Sequence, residues 1–175
     1  MHPTELIPAL EETETFKEWK TGNPGAKLVH LFLMLDPGQD VQYDIGFFDF
    51  DKKLMTSFIV DEKLSHIELA STKEVFSKDV STIKPLDITK VKIHFKEAVE
   101  ATRALQQEKY KQHQPLKEVV ILQNLEAGQV WNITYITKTF QTLNMKVDAV
   151  TGDIVEEKLH QIFSFDKGEN KEKQS

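Results

Sequence analysis

Six imidazoles, at His2, His30, His66, His94, His113 and His160, are the groups in this chain best suited to metal ligation or proton transfer near neutral pH. No two of them stand at the H-E-x-x-H spacing that sets two ligands on one helix face. Glu157 and His160 are three apart, but on an expected strand that spacing sends them to opposite faces. A zinc site needs three or four convergent ligands. None is visible, so no metal and no cofactor is expected. Asp36, Asp40, Asp49 and Asp51 fall on expected loops. The spacing D-x-[DN]-x-[DN]-G-x5-E of a calcium loop is absent, and turn chemistry explains these acids better. The chain has no cysteine, which removes thiolate catalysis, disulfides and sulfur-ligated metals together. G-x-G-x-x-G, Walker and G-x-S-x-G signatures are also missing. The reading is a chain with no catalytic residue and no enzyme activity.

The 175 residues suffice for one large domain or two small ones. Hydrophobic residues make up 39% and charged residues 29%, which allows an ordinary core. The net charge is −6 and no dense Lys/Arg cluster occurs, so nucleic acid is not an expected partner. The longest apolar run, Leu31 to Leu35, is far short of the roughly 20 residues of a membrane span. Residues Met1 to Glu5 lack the basic and apolar regions of a signal peptide. The expected location is therefore cytoplasmic, or the cell envelope if an export segment has been removed.

The elements that would carry these groups follow from periodicity. Pro8 to Lys20 reads as one helix, with Glu11, Glu12 and Glu14 early and Lys17 and Lys20 late, ended by Gly22-Asn23-Pro24-Gly25. Strands are expected at Leu28 to Leu35, Val41 to Asp49 and Leu54 to Val60, joined by turns into an antiparallel meander. The segment Asp61 to Asp87 holds one short strand near Ile67. Phe95, Ala98, Val99, Thr102 and Leu105 mark one face of a helix ending near Gln112. Strands follow at Val119 to Leu125, Gln129 to Lys138, Leu143 to Ala149 and Ile154 to Phe163. Trp131, Ile133 and Tyr135 form a stripe that should pack on that helix. The tail 166–175 is polar and expected to be disordered.

The closing stretch Val147-Asp148-Ala149-Val150-Thr151-Gly152-Asp153-Ile154 resembles the signature of PepSY domains, V-D-A-x-T-G-x-I. Lys96-Glu97-Ala98-Val99 resembles the start of the family's single helix. Val119 to Leu125 and Val130 to Ile136 resemble its first hairpin. The match covers about Phe95 to Glu157. It implies one helix on an antiparallel sheet, a binding role, a peptidase among the candidate partners, and no catalytic residues. In the first half, Lys52-Lys53 stands where the signature has Thr-Gly. The residues also explain the motif physically. Gly152 takes a positive φ in a tight turn without a Cβ penalty. Asp148 and Thr151 hold backbone N–H groups of that turn, and Val147 and Ala149 point into the core.

The expected fold class is therefore α+β, two PepSY- or cystatin-like helix-plus-antiparallel-sheet units packed together. Residues 1–86 form one unit, a degenerate repeat in which the Asp49 hairpin stands for the Asp148 hairpin, and 87–165 form the other. Consecutive Phe47 and Phe48 point to opposite faces of a strand, which marks them as a candidate interaction surface. The expected function is a non-catalytic module that binds a protein, as an inhibitor or regulator of a peptidase. The alternative is a self-associating structural protein that pairs through a sheet edge or the Phe47/Phe48 surface.

Overall fold

The structure, a computed structural model, describes residues 1–36, 38–74 and 80–161, with residues 71–74 and 80 described by backbone alone. The expected tail, Phe163 at the end of the expected last strand, and Val75 and Phe76 of the connecting segment lie outside the described residues.

Two short helices open the chain, α1 (Pro3–Glu11) and α2 (Glu14–Gly22). The single helix expected over Pro8 to Lys20 is thus two, and the reason is Thr13. Its hydroxyl donates to the Leu10 carbonyl at 2.7 Å and accepts the Phe16 N–H at 3.3 Å, so it closes one helix and caps the next. Pro3 holds the N-terminal position at which Pro is tolerated, and Pro8 lies inside α1. Four strands follow: β1 (Ala26–Leu35), β2 (Gln42–Asp49), β3 (Leu54–Asp61) and β4 (Ile67–Glu74). Single 3-10 turns at Val80–Thr82 and Ile88–Lys90 lead to α3 (Phe95–Lys109). Then come β5 (Pro115–Leu125), β6 (Gly128–Thr137), β7 (Gln141–Asp148) and β8 (Ile154–Gln161).

All eight strands form one antiparallel sheet in the order β4-β3-β2-β1-β5-β6-β7-β8. Each half of the chain is a meander, and the meanders meet where β1 pairs with β5, from His30 opposite Gln123 to Leu35 opposite Glu118. The class is mixed helix and strand, as expected. This strand order corrects one detail of the repeat alignment. The Asp49 hairpin joins the second and third strands of its half, whereas the Asp148 hairpin joins the third and fourth. Asp148 ends the third strand of its half, as Asp61 ends the third strand of the first.

Alternation gives the sheet two unlike faces. Leu31, Leu33, Tyr43, Ile45, Phe47, Phe58, Val120, Leu122, Trp131, Ile133, Tyr135, Leu143, Met145 and Val147 are buried together with Leu6, Leu10, Phe16, Phe95, Ala98 and Val99 of the helices. Register places those strand residues on one face, so all three helices cover the same side. Phe16 and Trp19 of α2 meet Phe47 and Phe58 with ring centroids 5.0–5.5 Å apart. Phe95 bridges the halves, 6.3 Å from both Tyr43 and Trp131. The Trp131 indole donates to the Ile93 carbonyl at 2.8 Å, and Tyr135 shares a buried 2.7 Å hydrogen bond with Thr102. The stripe expected to face α3 does so.

Candidate functional site

The PepSY-like hairpin follows directly from its residues. Asp148 ends β7, and its carboxylate accepts the N–H groups of Val150 and Thr151 at 2.8 and 2.9 Å. The Gly152 N–H closes the turn onto the Asp148 carbonyl at 2.9 Å, with Gly152 at φ +82°. The Thr151 hydroxyl donates to the Asp153 carboxylate and accepts the Asp153 N–H. Ala149 is fully buried. Its carbonyl accepts from Lys92 and Ile93, and its N–H donates to the Gln129 carbonyl. Asp148, Ala149, Thr151 and Gly152 thus fasten the last hairpin to the segment entering α3. Asp49 makes the same device in the first half: its carboxylate accepts from Asp51 and Lys52, and Lys53 takes φ +55°.

Phe47 and Phe48 do not form the surface expected of them. Phe47 is 2% exposed and Phe48 fully buried. Phe47 lies under α2, and Phe48, on the opposite face, meets the Phe50 ring edge-on at 4.9 Å. Both are covered within the chain, which corrects their assignment as an interaction site.

The histidines split between caps and the sheet. His94 Nδ1 accepts the Lys96 N–H at 3.1 Å while Glu97 accepts the His94 N–H, a reciprocal cap at the start of α3. Burial pulls the His94 pKa below its ordinary value, against a hydrogen bond to the Met1 carbonyl that raises it. At the start of α1, His2 Nδ1 accepts the Thr4 N–H at 3.2 Å. His30 differs. It follows a bulge in β1 and lies opposite Gly46, and its ring occupies the space a Cβ on residue 46 would need. Its Nε2 is 3.8 Å from Asp44 Oδ1, an ion-pair distance longer than a hydrogen bond.

This pair lies on the face of the sheet turned away from α1, α2 and α3, part of which the chain itself covers: Phe48 and Val130 on it are fully buried, and Ser81, Thr82 and Lys84 line a cleft with Lys146 and Glu156. A cleft of about 320 Å³ is lined by His30, Phe32, Asp44, Ile121 and Gln123. Phe32 and Asp44 also line a second cleft of about 560 Å³ with Met34, Asp36, Asp40, Ile59, Asp61 and His66. Sequence reasoning missed this site. The available signal was the mixed alternation of β1, in which His30, Phe32 and Met34 oppose Leu31 and Leu33. On the helix side, a groove of about 620 Å³ runs along α3 past Leu35, Phe95, Lys96, Val99 and Arg103. Arg103 reaches from it to Glu118 of β5 in a two-pronged pair at 2.9 and 2.5 Å. Burial pushes the Tyr135 hydroxyl up to about 12, and burial with the Glu62 carboxylate beside it raises that of Tyr43 as well. No group of three or more His, Asp or Glu placed to hold a metal ion occurs among the described residues. No helix among them is long and apolar enough to cross a membrane.

These features define an α+β protein with a one-sided helix layer on an eight-stranded sheet. No protein-family model and no curated protein matches the chain. Among solved structures it is similar to a predicted lipoprotein from Clostridium difficile 630, with a TM-score of 0.55. The similarity covers 84% of this chain and 91% of that one at 17% identity. At that identity the likeness is one of fold.

Proposed function

We propose that this chain is a non-catalytic protein-binding module made of two helix-plus-meander units, of which residues 87–165 are PepSY-like and act as an inhibitor or regulator of a peptidase. The observation that carries the reading is a partly apolar patch on the sheet face turned away from the α-helices. It offers half-exposed Phe32 and Ile121 beside Met34, which is 40% exposed. A rigid, partly apolar surface on strands suits recognition of another protein. The use of Asp148, Thr151 and His94 as caps and turn ties supports a structural role for residues that elsewhere do chemistry. The order of one helix and four strands in residues 95–161 supports the PepSY-like assignment, and the order of two short helices and four strands in residues 3–74 supports a degenerate repeat. A location at the cell envelope belongs to the same reading, since a predicted lipoprotein shares the fold.

A panel of purified metallo- and serine peptidases tests it. The expected result is dose-dependent inhibition of at least one peptidase, with the chain left intact and Phe32→Lys weakening the effect. Substrate turnover by the chain alone that disappears in His30→Ala would overturn it.

A further inference from the structure

We infer that His2 and His94 form an acid-sensitive latch, which holds the start of α1 beside the start of α3 while both imidazoles are neutral and parts the two helix starts when they charge. The rings lie 5.7 Å apart, one at the first helix of the first half and the other at the helix of the second. Both side chains are half-buried. Each ring uses Nδ1 as an acceptor at a helix start, His2 from the Thr4 N–H at 3.2 Å and His94 from the Lys96 N–H at 3.1 Å. An Nδ1 that accepts leaves the proton of a neutral ring on Nε2. In His94 that nitrogen stands 3.1 Å from the Met1 carbonyl, so α3 is tied back to the residue that precedes His2.

An imidazole changes charge between about pH 5 and 8, and the added proton goes on the Nδ1 that each helix start uses. The ring that charges first gives up its acceptor role, sets a cation at the positive end of its helix and makes the other ring harder to charge. With both charged, two cations face each other at 5.7 Å, and separation relieves them. The bond from His94 to the Met1 carbonyl survives, because a charged ring still donates from Nε2. The change therefore lies at the two helix starts and between the rings. Neighbouring charge does not cancel it. Lys96 and the Met1 ammonium face His94 with the same sign. Glu97 accepts the His94 N–H. Glu62, just past β3, accepts from the Met1 ammonium and from the Tyr43 hydroxyl. The Met1 bond holds the Glu62 pKa below the ordinary carboxylate value, so Glu62 stays ionised while the imidazoles titrate. Glu5 lies in the first turn of α1 itself. In the 3-10 turn packed on α1, Lys90 and Asp87 pair with each other at 3.1 Å. The latch stands at the head of the groove along α3, whose wall begins with Phe95 and Lys96, so opening it widens that groove at one end.

An NMR titration of the His2 and His94 rings in the full chain at low ionic strength, with His2→Asn and His94→Asn beside it, tests this. Asn caps a helix without titrating, and an unchanged circular dichroism spectrum at pH 7.5 verifies that each variant is folded. The expected result is reciprocal: loss of either imidazole raises the titration midpoint of the other by at least about 0.5 pH units, the size two unit charges at this distance give even in bulk water. A second measurement needs only the wild-type chain. Corrected for the intrinsic pH dependence of exchange, the Thr4 and Lys96 amides should lose severalfold of their protection from hydrogen exchange between pH 7.5 and 5.5, while amides of β6 keep theirs. Midpoints indifferent to loss of the other ring overturn the inference. So does protection at Thr4 and Lys96 that survives the charging of both rings, or that falls only together with β6.

Discussion

His30 and Gly46 show how one residue dictates another across a strand pair. With the imidazole lying where a Cβ on residue 46 would be, Gly46→Ala forces a displacement and is expected to cost about 1–3 kcal/mol by overpacking. His30→Ala in the same chain should return most of that loss in urea denaturation; additive losses would show that the two do not compete. Gly152 carries a different constraint, since φ of +82° leaves a β-branched residue strained while its Cβ would also touch Ile93 at 3.4 Å. Gly152→Val is expected to cost on the order of 1–3 kcal/mol, measured the same way, and a cost near zero would mean that the turn re-forms without strain. Trp131→Ala removes a fully buried indole and its hydrogen bond to Ile93, and about 3–5 kcal/mol is expected. A loss under about 0.5 kcal/mol, the surface range, would contradict its place in the core.

The helix starts make an element-level pH response. The neutral His94 imidazole accepts the Lys96 N–H; once protonated it loses that acceptor and places a cation at the positive end of α3. Its folded pKa lies below the unfolded value of about 6.5. The unfolded chain therefore binds more protons in that window, and stability falls as pH drops through 6.5 toward the folded pKa. The chain should show a lower urea midpoint at pH 5.5 than at 7.5, and His94→Asn, which caps without titrating, should narrow the difference. An unchanged difference would assign the response to other groups. Asp61 and Asp87 act in a separate, more acid window. The hydroxyls of Ser65 and Thr89 hold their pKa values down, so their contributions vanish only as pH falls through those lowered values. At this scale the sequence was most legible where period and punctuation agreed. Strands with strict alternation, such as Leu143, Met145 and Val147, and the Asp148 turn fall where spacing puts them. The break at Thr13 was hidden because helical composition continues on both sides of it. The burial of Phe48 was hidden because alternation names a face without saying what covers it.

At the scale of the whole molecule, the two meanders share one sheet rather than meeting as separate bodies. Cutting the chain between Glu74 and Val80 is expected to leave two fragments that co-elute in size-exclusion chromatography, held by the β1–β5 ladder and by Phe95 between Tyr43 and Trp131. Fragments that separate without denaturant would rule that out. The candidate site, on the sheet face turned away from the α-helices, could not be read from sequence because it exists only once β1 lies beside β5. That seam also shapes how the chain reaches its fold. Each hairpin closes a loop of a few residues, whereas the seam joins residues about 80 to 90 positions apart, the slow, high-contact-order step. Two half-sheets can therefore form before they find each other, each with an unpaired edge strand awaiting the other half. In a concentrated solution that partner can come from another molecule, so weakening β1 against β5 should favour exchange of halves between chains, a swapped dimer trapped kinetically rather than selected by surface fit.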